Sequence, residues 1–90
     1  MEVGADIIVK GLVQGVGFRF FVYRIGKSLN LVGTVENLSG GVVKIVVEGD
    51  RSAIEEMIRF VKVGPRSAEV NDVVIHWTSP KHSFPDFTIL

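Results

Sequence analysis

The chain has no cysteine, so neither a disulfide framework nor a thiolate metal site is open to it. It has no excess of either charge, because ten Lys and Arg balance ten Asp and Glu. No global field therefore favours nucleic acid or an acidic membrane, and any anion binding must be local. No apolar run approaches a membrane span. Glu2 and Asp6 stand where a signal peptide wants positive charge. A soluble, cytoplasmic protein is expected. Low-complexity segments, repeats and dividing linkers are also missing. The two histidines, His76 and His82, lack metal-ligand spacing, so no metal site is expected. Ninety residues make one small domain, residues 1–90, with a single modest core.

What the chain does have is legible periodicity. Ile7 to Val13 alternates as a strand, with Ile7, Val9, Gly11 and Val13 on one face and Lys10 and Leu12 on the other. An inward Gly11 is expected to let a helix approach closely. Phe18, Phe21, Val22, Ile25 and Leu29 form the apolar stripe of a helix over about Phe18 to Leu29. Asn30 suits a left-handed turn after it. A second strand is expected over about Leu31 to Leu38, then a tight turn at Ser39-Gly-Gly41, then a third strand over Val42 to Glu48 with Val43, Ile45 and Val47 inward. Gly49-Asp50 is expected to break that strand. Asp50 or Ser52 then caps a second helix, and Ser52-Ala-Ile-Glu55 fits a capping box. Ile54, Met57, Ile58 and Val61 are its buried stripe, and Gly64-Pro65 stops it. A fourth strand over about Ala68 to Trp77 and a short last one near Phe87 to Leu90 complete the chain. The order β-α-β-β-α-β with a terminal β piece is the ferredoxin-like α+β pattern. It implies an antiparallel sheet of four to five strands with two helices on one face. The open face would carry Lys10, Leu12, Thr34, Glu36, Lys44 and Glu48.

One stretch carries chemistry. In Gly11-Leu-Val-Gln-Gly-Val-Gly-Phe-Arg19 a strand ends in a glycine-rich turn, and an arginine follows at the start of a helix. Glycines let successive N–H groups converge, the helix N-terminus adds its positive dipole end, and Arg19 adds a bidentate cation. A phosphate-sized anion is the natural occupant. A glycine turn before a helix is more often only a turn. A cation at a helix N-terminus, however, opposes the dipole unless an anion sits there. No Gly-Lys-Ser/Thr follows, so this is not a nucleotide P-loop.

These residues resemble the first signature of the acylphosphatase family. Gly33-Thr-Val-Glu-Asn37-Leu-Ser-Gly-Gly41-Val-Val43, continuing to Gly49, is similar to the family's second signature. Gly64-Pro-Arg-Ser-Ala68-Glu-Val70 resembles its segment after the second helix. The resemblance implies an enzyme that hydrolyses acyl phosphates to carboxylate and inorganic phosphate, with no cofactor and a small-molecule substrate. It also implies roles. Arg19 would hold the substrate phosphate, and Asn37 would position the attacking water. The backbone N–H groups of Gly15, Val16, Gly17, Phe18 and Arg19 would cradle the phosphate oxygens. Gln14 is expected to support the loop without a catalytic role.

The chemistry agrees with those roles. A carboxylate is a good leaving group, and phosphoryl transfer is mainly positioning plus charge stabilisation. An amide such as Asn37 holds water but is no general base, and neither signature supplies a carboxylate, His or Lys that must take the proton. Metal-free, in-line attack of water on phosphorus is the mechanism expected. Thr34 and Glu36 depart from the family pattern and bear on substrate preference. Gly26, where the family often has alanine, is expected to cost about 1 kcal/mol of helix stability. Two other classes stay open. One is a non-catalytic phosphate-binding module like that of hydrogenase maturation proteins. The other is an RNA-binding ferredoxin-like domain, for which the open face lacks a stacking pair of aromatics. A monomer is expected.

Overall fold

The computed structural model describes all residues, Met1–Leu90. The elements are β1 (Glu2–Leu12), α1 (Phe18–Ser28), β2 (Val32–Asn37), β3 (Val43–Asp50), α2 (Arg51–Val63), β4 (Glu69–Thr78) and β5 (Phe87–Ile89). They form one five-stranded sheet in the order β4-β1-β3-β2-β5. The expected ferredoxin-like α+β fold is present. Pairing is antiparallel among β1 to β4, as expected, and β5 adds a parallel pairing to β2.

Strand alternation builds the core. Ala5, Ile7 and Val9 of β1, Val35 of β2 and Val43, Ile45 and Val47 of β3 are all buried on the helix side. In register, Ile7 lies opposite Ile45, which lies opposite Val35. α1 sits over β2 and β5, and α2 over β4, β3 and β1. α2 buries Ile54, Met57, Ile58 and Val61, the stripe read from its periodicity. α1 buries only Phe18, Val22 and Gly26, while Phe21, Ile25 and Leu29 are partly covered. Asn30 takes the left-handed turn at φ 57°, a conformation its short polar side chain tolerates.

Several local expectations are corrected. β1 starts at Glu2, five residues early, because its N-terminal half pairs with β3 as far as Asp50. For the same reason Gly49-Asp50 does not break β3. Gly11 makes room for a strand, not a helix. A Cβ there would lie 2.1 Å from the Glu69 carbonyl oxygen, where the β1–β4 register shifts between Lys10 and Gly11. The capping box does not form, since Asp50 takes the N-cap and Ser52 is already helical. The Asp50 carboxylate receives the Ser52 hydroxyl and, at 3.0 Å, the Met1 amino group, and leaves the helix N–H groups uncapped. Glu48 is not on an open face. It is 5% exposed, and its two carboxylate oxygens accept the backbone N–H groups of Lys81 and His82 at 2.8 and 3.1 Å. The connection from β4 to β5 is thereby strapped across that end of the sheet.

Gly26 also reads differently in three dimensions. A Cβ on it would lie 2.8 Å from the ring of Phe87, a buried residue of β5. The glycine lets α1 settle onto the edge strand, so its low helix propensity is the lesser effect. We expect Gly26→Ala to destabilise the fold by about 1 kcal/mol net, because overpacking of ~1–3 kcal/mol outweighs the ~1 kcal/mol of propensity regained. Urea denaturation measures the sign.

The same edge is pinned by charge. Lys27 Nζ donates to Asp86 Oδ1 at 2.7 Å, and the Phe87 N–H donates to the same oxygen at 2.8 Å. The hydrogen bond from Lys27, then that from Phe87, holds the Asp86 carboxyl below its ordinary range. The stabilisation is present above the unfolded-state pKa and is lost as pH falls through the depressed folded value. Asp86→Asn should therefore be less stable than the parent at neutral pH. That difference should close as the solution is acidified below the usual carboxylate range, in denaturant melts run across the pH series.

Candidate active site

Three chain segments are forced together at one edge of the sheet. β1 and β2 both run antiparallel to β3, so they point the same way, and β5 runs parallel to β2. Their C-terminal ends share an edge. There the loop after β1, Asn37 at the end of β2, and Ile89 at the end of β5 surround a hollow of about 200 Å³. Gly15, Gly17, Phe18, Arg19 and Asn37 line it, together with Val13, Phe20 and Ile89. Of the residues singled out in the sequence, only Val16 is off this lining. Its carbonyl accepts the Ser67 hydroxyl at 3.1 Å, and its side chain packs on the core.

The loop is shaped by backbone conformation. Gly15 and Gly17 sit at φ 74° and 78°, and a Cβ on either would meet nothing within 4 Å. Left-handed φ, not lack of space, selects glycine there. Gly17 is also the N-cap of α1, with no side-chain cap and no acidic residue in the first turn. The first N–H groups of a helix have no intrahelical partner. Here they stay uncompensated beside the hollow, where the helix dipole is positive.

Gln14 fixes this loop to the opposite wall. Its Nε2 donates to the carbonyls of Leu38 at 2.8 Å and Val42 at 2.9 Å, the two ends of the β2–β3 turn. That turn is closed by the Leu38 N–H on the Val42 carbonyl at 2.9 Å. Asn37 directly precedes it, so one side chain ties the phosphate-type loop to the residue facing it.

Arg19 is half-buried, and its Nη1 donates to the Leu90 carbonyl oxygen at 2.8 Å. Leu90 is itself anchored through its N–H to Val35 O at 2.9 Å. The end of β5 thus orients the guanidinium, and the rest of the five-donor fork makes no other protein hydrogen bond. Asn37 is half-buried. Its Oδ1 is fully enclosed and is the one buried side-chain polar atom of the protein without a partner. An acceptor left so costs about 1–3 kcal/mol, and buried polar groups are otherwise satisfied almost everywhere.

Thr34 and Glu36 lie on the sheet face away from the helices. Glu36 stands directly across from Lys44 on β3. Sequence reasoning missed the contributions of Ile89, Leu90 and Ser67. The first two act through a parallel pairing of three residues, which leaves no periodic trace. Ser67 sat inside a recognised segment without a role.

A small α+β sandwich with a glycine loop, a guanidinium and a carboxamide around one anion-sized hollow defines a phosphate-handling protein. Comparison with known proteins makes this specific. The acylphosphatase family model matches residues 5–89. The acylphosphatase of Caldanaerobacter subterraneus subsp. tengcongensis is 44% identical over 89 residues, covering 99% of each chain. The crystal structure of acylphosphatase from Bacillus subtilis superposes with a TM-score of 0.94 at 34% identity, covering 98% of each chain. Full-length HypF in its phosphate- and nucleotide-bound form matches at 36% identity and TM-score 0.92. That match covers all of this chain but 12% of that one. The chain belongs to the acylphosphatase family, and it is a hydrolase acting on acid anhydrides. The phosphate-binding module reading is not favoured.

Replacing Gln14 by leucine keeps the bulk and removes both donors. Gln14→Leu should lower stability by about 1–3 kcal/mol, the cost of leaving the part-buried Leu38 carbonyl unpaired; the Val42 carbonyl keeps the Leu38 N–H. It should also weaken inorganic phosphate as a competitive inhibitor, because loop and turn are no longer joined. Denaturant melts and inhibition constants check the two effects separately.

Proposed function

We propose that the chain, acting as one domain over residues 1–90, hydrolyses the carboxyl–phosphate bond of small acyl phosphates by direct attack of water on phosphorus. The backbone N–H groups of residues 15 to 19 hold the non-bridging phosphate oxygens. The Arg19 guanidinium neutralises the charge that spreads over them as the bond to the leaving oxygen breaks. Asn37 holds the attacking water in line. Its amide N–H donates to the water oxygen and leaves that oxygen's other lone pair for the attack. The water oxygen bonds to phosphorus, and the electron pair of the broken P–O bond leaves with the carboxylate. The water proton goes to a phosphate oxygen. The products are a carboxylate and inorganic phosphate.

One observation carries this proposal. Asn37 shares the hollow with Arg19 and the glycine loop, the one residue of β2 in its lining. No other side chain of the lining carries a carboxamide or a carboxylate that could hold a water there. The chemistry asks for charge stabilisation and positioning, and the amides and the guanidinium supply both, so we propose that no metal takes part. A cytoplasmic monomer is the setting proposed. No helix is long and apolar enough to cross a membrane.

Asn37→Ala should nearly abolish turnover of benzoyl phosphate and leave competitive inhibition by inorganic phosphate largely intact. Arg19→Ala should damage both. The parent's rate should be unchanged in chelator. Equal loss of phosphate affinity in the two variants contradicts this division of roles.

A further inference from the structure

The larger concavity of the molecule lies beside the catalytic hollow. It is a groove of about 510 Å³ between α1 and α2, walled by Phe20, Phe21, Arg24, Phe60 and Pro65, with Gly17 at one end. Its size falls within the roughly 300–1,000 Å³ usual for small-molecule sites, and its apolar walls with few polar groups fit that type. We infer that this groove holds the acyl group of the substrate, and that acyl phosphates with aromatic or other bulky apolar acyl groups are the preferred class. The inference rests on the hydrolase mechanism proposed above.

Continuity argues for it first. Gly17 and Phe20 line both the hollow and the groove, whereas Asn37 lines the hollow alone. In-line displacement places the attacking and leaving oxygens on opposite sides of phosphorus. With water held at Asn37, the carboxylate leaves on the side of phosphorus away from it, and the lining residues through which the hollow opens to the groove are Gly17 and Phe20. The substrate's apolar part then enters the apolar space by the geometry of the reaction.

Exposure argues for it second. Phe20 is 57% exposed and Phe60 49% exposed, on different helices, and both face one groove. Phe20 is braced as well. Its ring stacks on Tyr23 with centroids 6.2 Å apart and planes at 22°, and the Arg24 guanidinium lies 5.9 Å from its centroid. A bare ring held in one orientation is a platform for a flat group and costs little ordering on binding. Arg24 enters no ion pair with an acidic residue, so its placement over Phe20 is not set by a carboxylate elsewhere.

The test compares kcat/KM for benzoyl phosphate and acetyl phosphate in the parent, Phe60→Ala and Phe20→Ala. Inorganic phosphate inhibition is measured in each as a report on the hollow. The parent should prefer benzoyl phosphate. Phe60, outside the hollow, is the cleaner probe. Its truncation should reduce the benzoyl-to-acetyl ratio by roughly tenfold, the scale of a lost apolar contact in a binding pocket, with the phosphate inhibition constant unmoved. Phe20→Ala should reduce the ratio too. A protein that hydrolyses both substrates with a ratio indifferent to Phe60 and Phe20 overturns the acyl site and leaves the hydrolase mechanism standing. Hydrolysis of neither overturns both. Sedimentation supplies the rival occupant. A dimer that Phe60→Ala dissolves, with the ratio unchanged, assigns the groove to a second copy of the chain and also overturns the inference.

Discussion

The two hydrogen bonds of the Gln14 amide hold the site together. A glycine loop has little preference of its own for one geometry. The β2–β3 turn, built on Gly40 and Gly41 at φ 87° and 84°, is hardly stiffer. Each is a weak element. Joined through one side chain to the Leu38 and Val42 carbonyls, they become a single cradle in which Arg19 and Asn37 face one space. Preorganisation of this kind is what electrostatic stabilisation of a phosphoryl transition state requires.

The sheet order supplies the second constraint. Parallel strands joined through a helix end at the same edge, and here β5 brings a third C-terminal end to it. The guanidinium of Arg19 is therefore aimed from two sides, by the start of its own helix and by Leu90. The open approach of α1 to that edge depends on Gly26 beneath the Phe87 ring. Helix packing, edge-strand docking and cation placement form one chain of dependence, running from a residue remote from the chemistry to the chemistry itself.

Much of this was legible in one dimension. Period-two alternation in Val43, Ile45 and Val47, and the helical spacing of Ile54, Met57, Ile58 and Val61, located the core because each pattern repeats over several residues. That Gly15, Gly17, Arg19 and Asn37 would share one hollow was legible because two separated signatures agree. The misses share a physical origin. Gly11, Gly26 and Glu48 have roles set by partners 58, 61 and 33 residues away: Glu69, Phe87 and Lys81. No local pattern encodes such partners. The apparent capping box failed because Asp50, two residues earlier, takes the N-cap position and leaves Ser52 inside the helix. β5 was expected as a short strand, but its parallel pairing to β2 was not, because nothing in three residues encodes a partner.

The enclosed Asn37 oxygen has a consequence for the protein's history as well as its chemistry. It is a site of local frustration, at which the resting fold is less content than it need be. Lineages drifting toward greater robustness have an easy route there, through an apolar replacement that relieves the strain of an unmet acceptor and, on the role proposed for Asn37, silences turnover in one step. Thermal hardiness and competence are opposed at this position, and a hardy chain that keeps the carboxamide has had to find its resilience elsewhere.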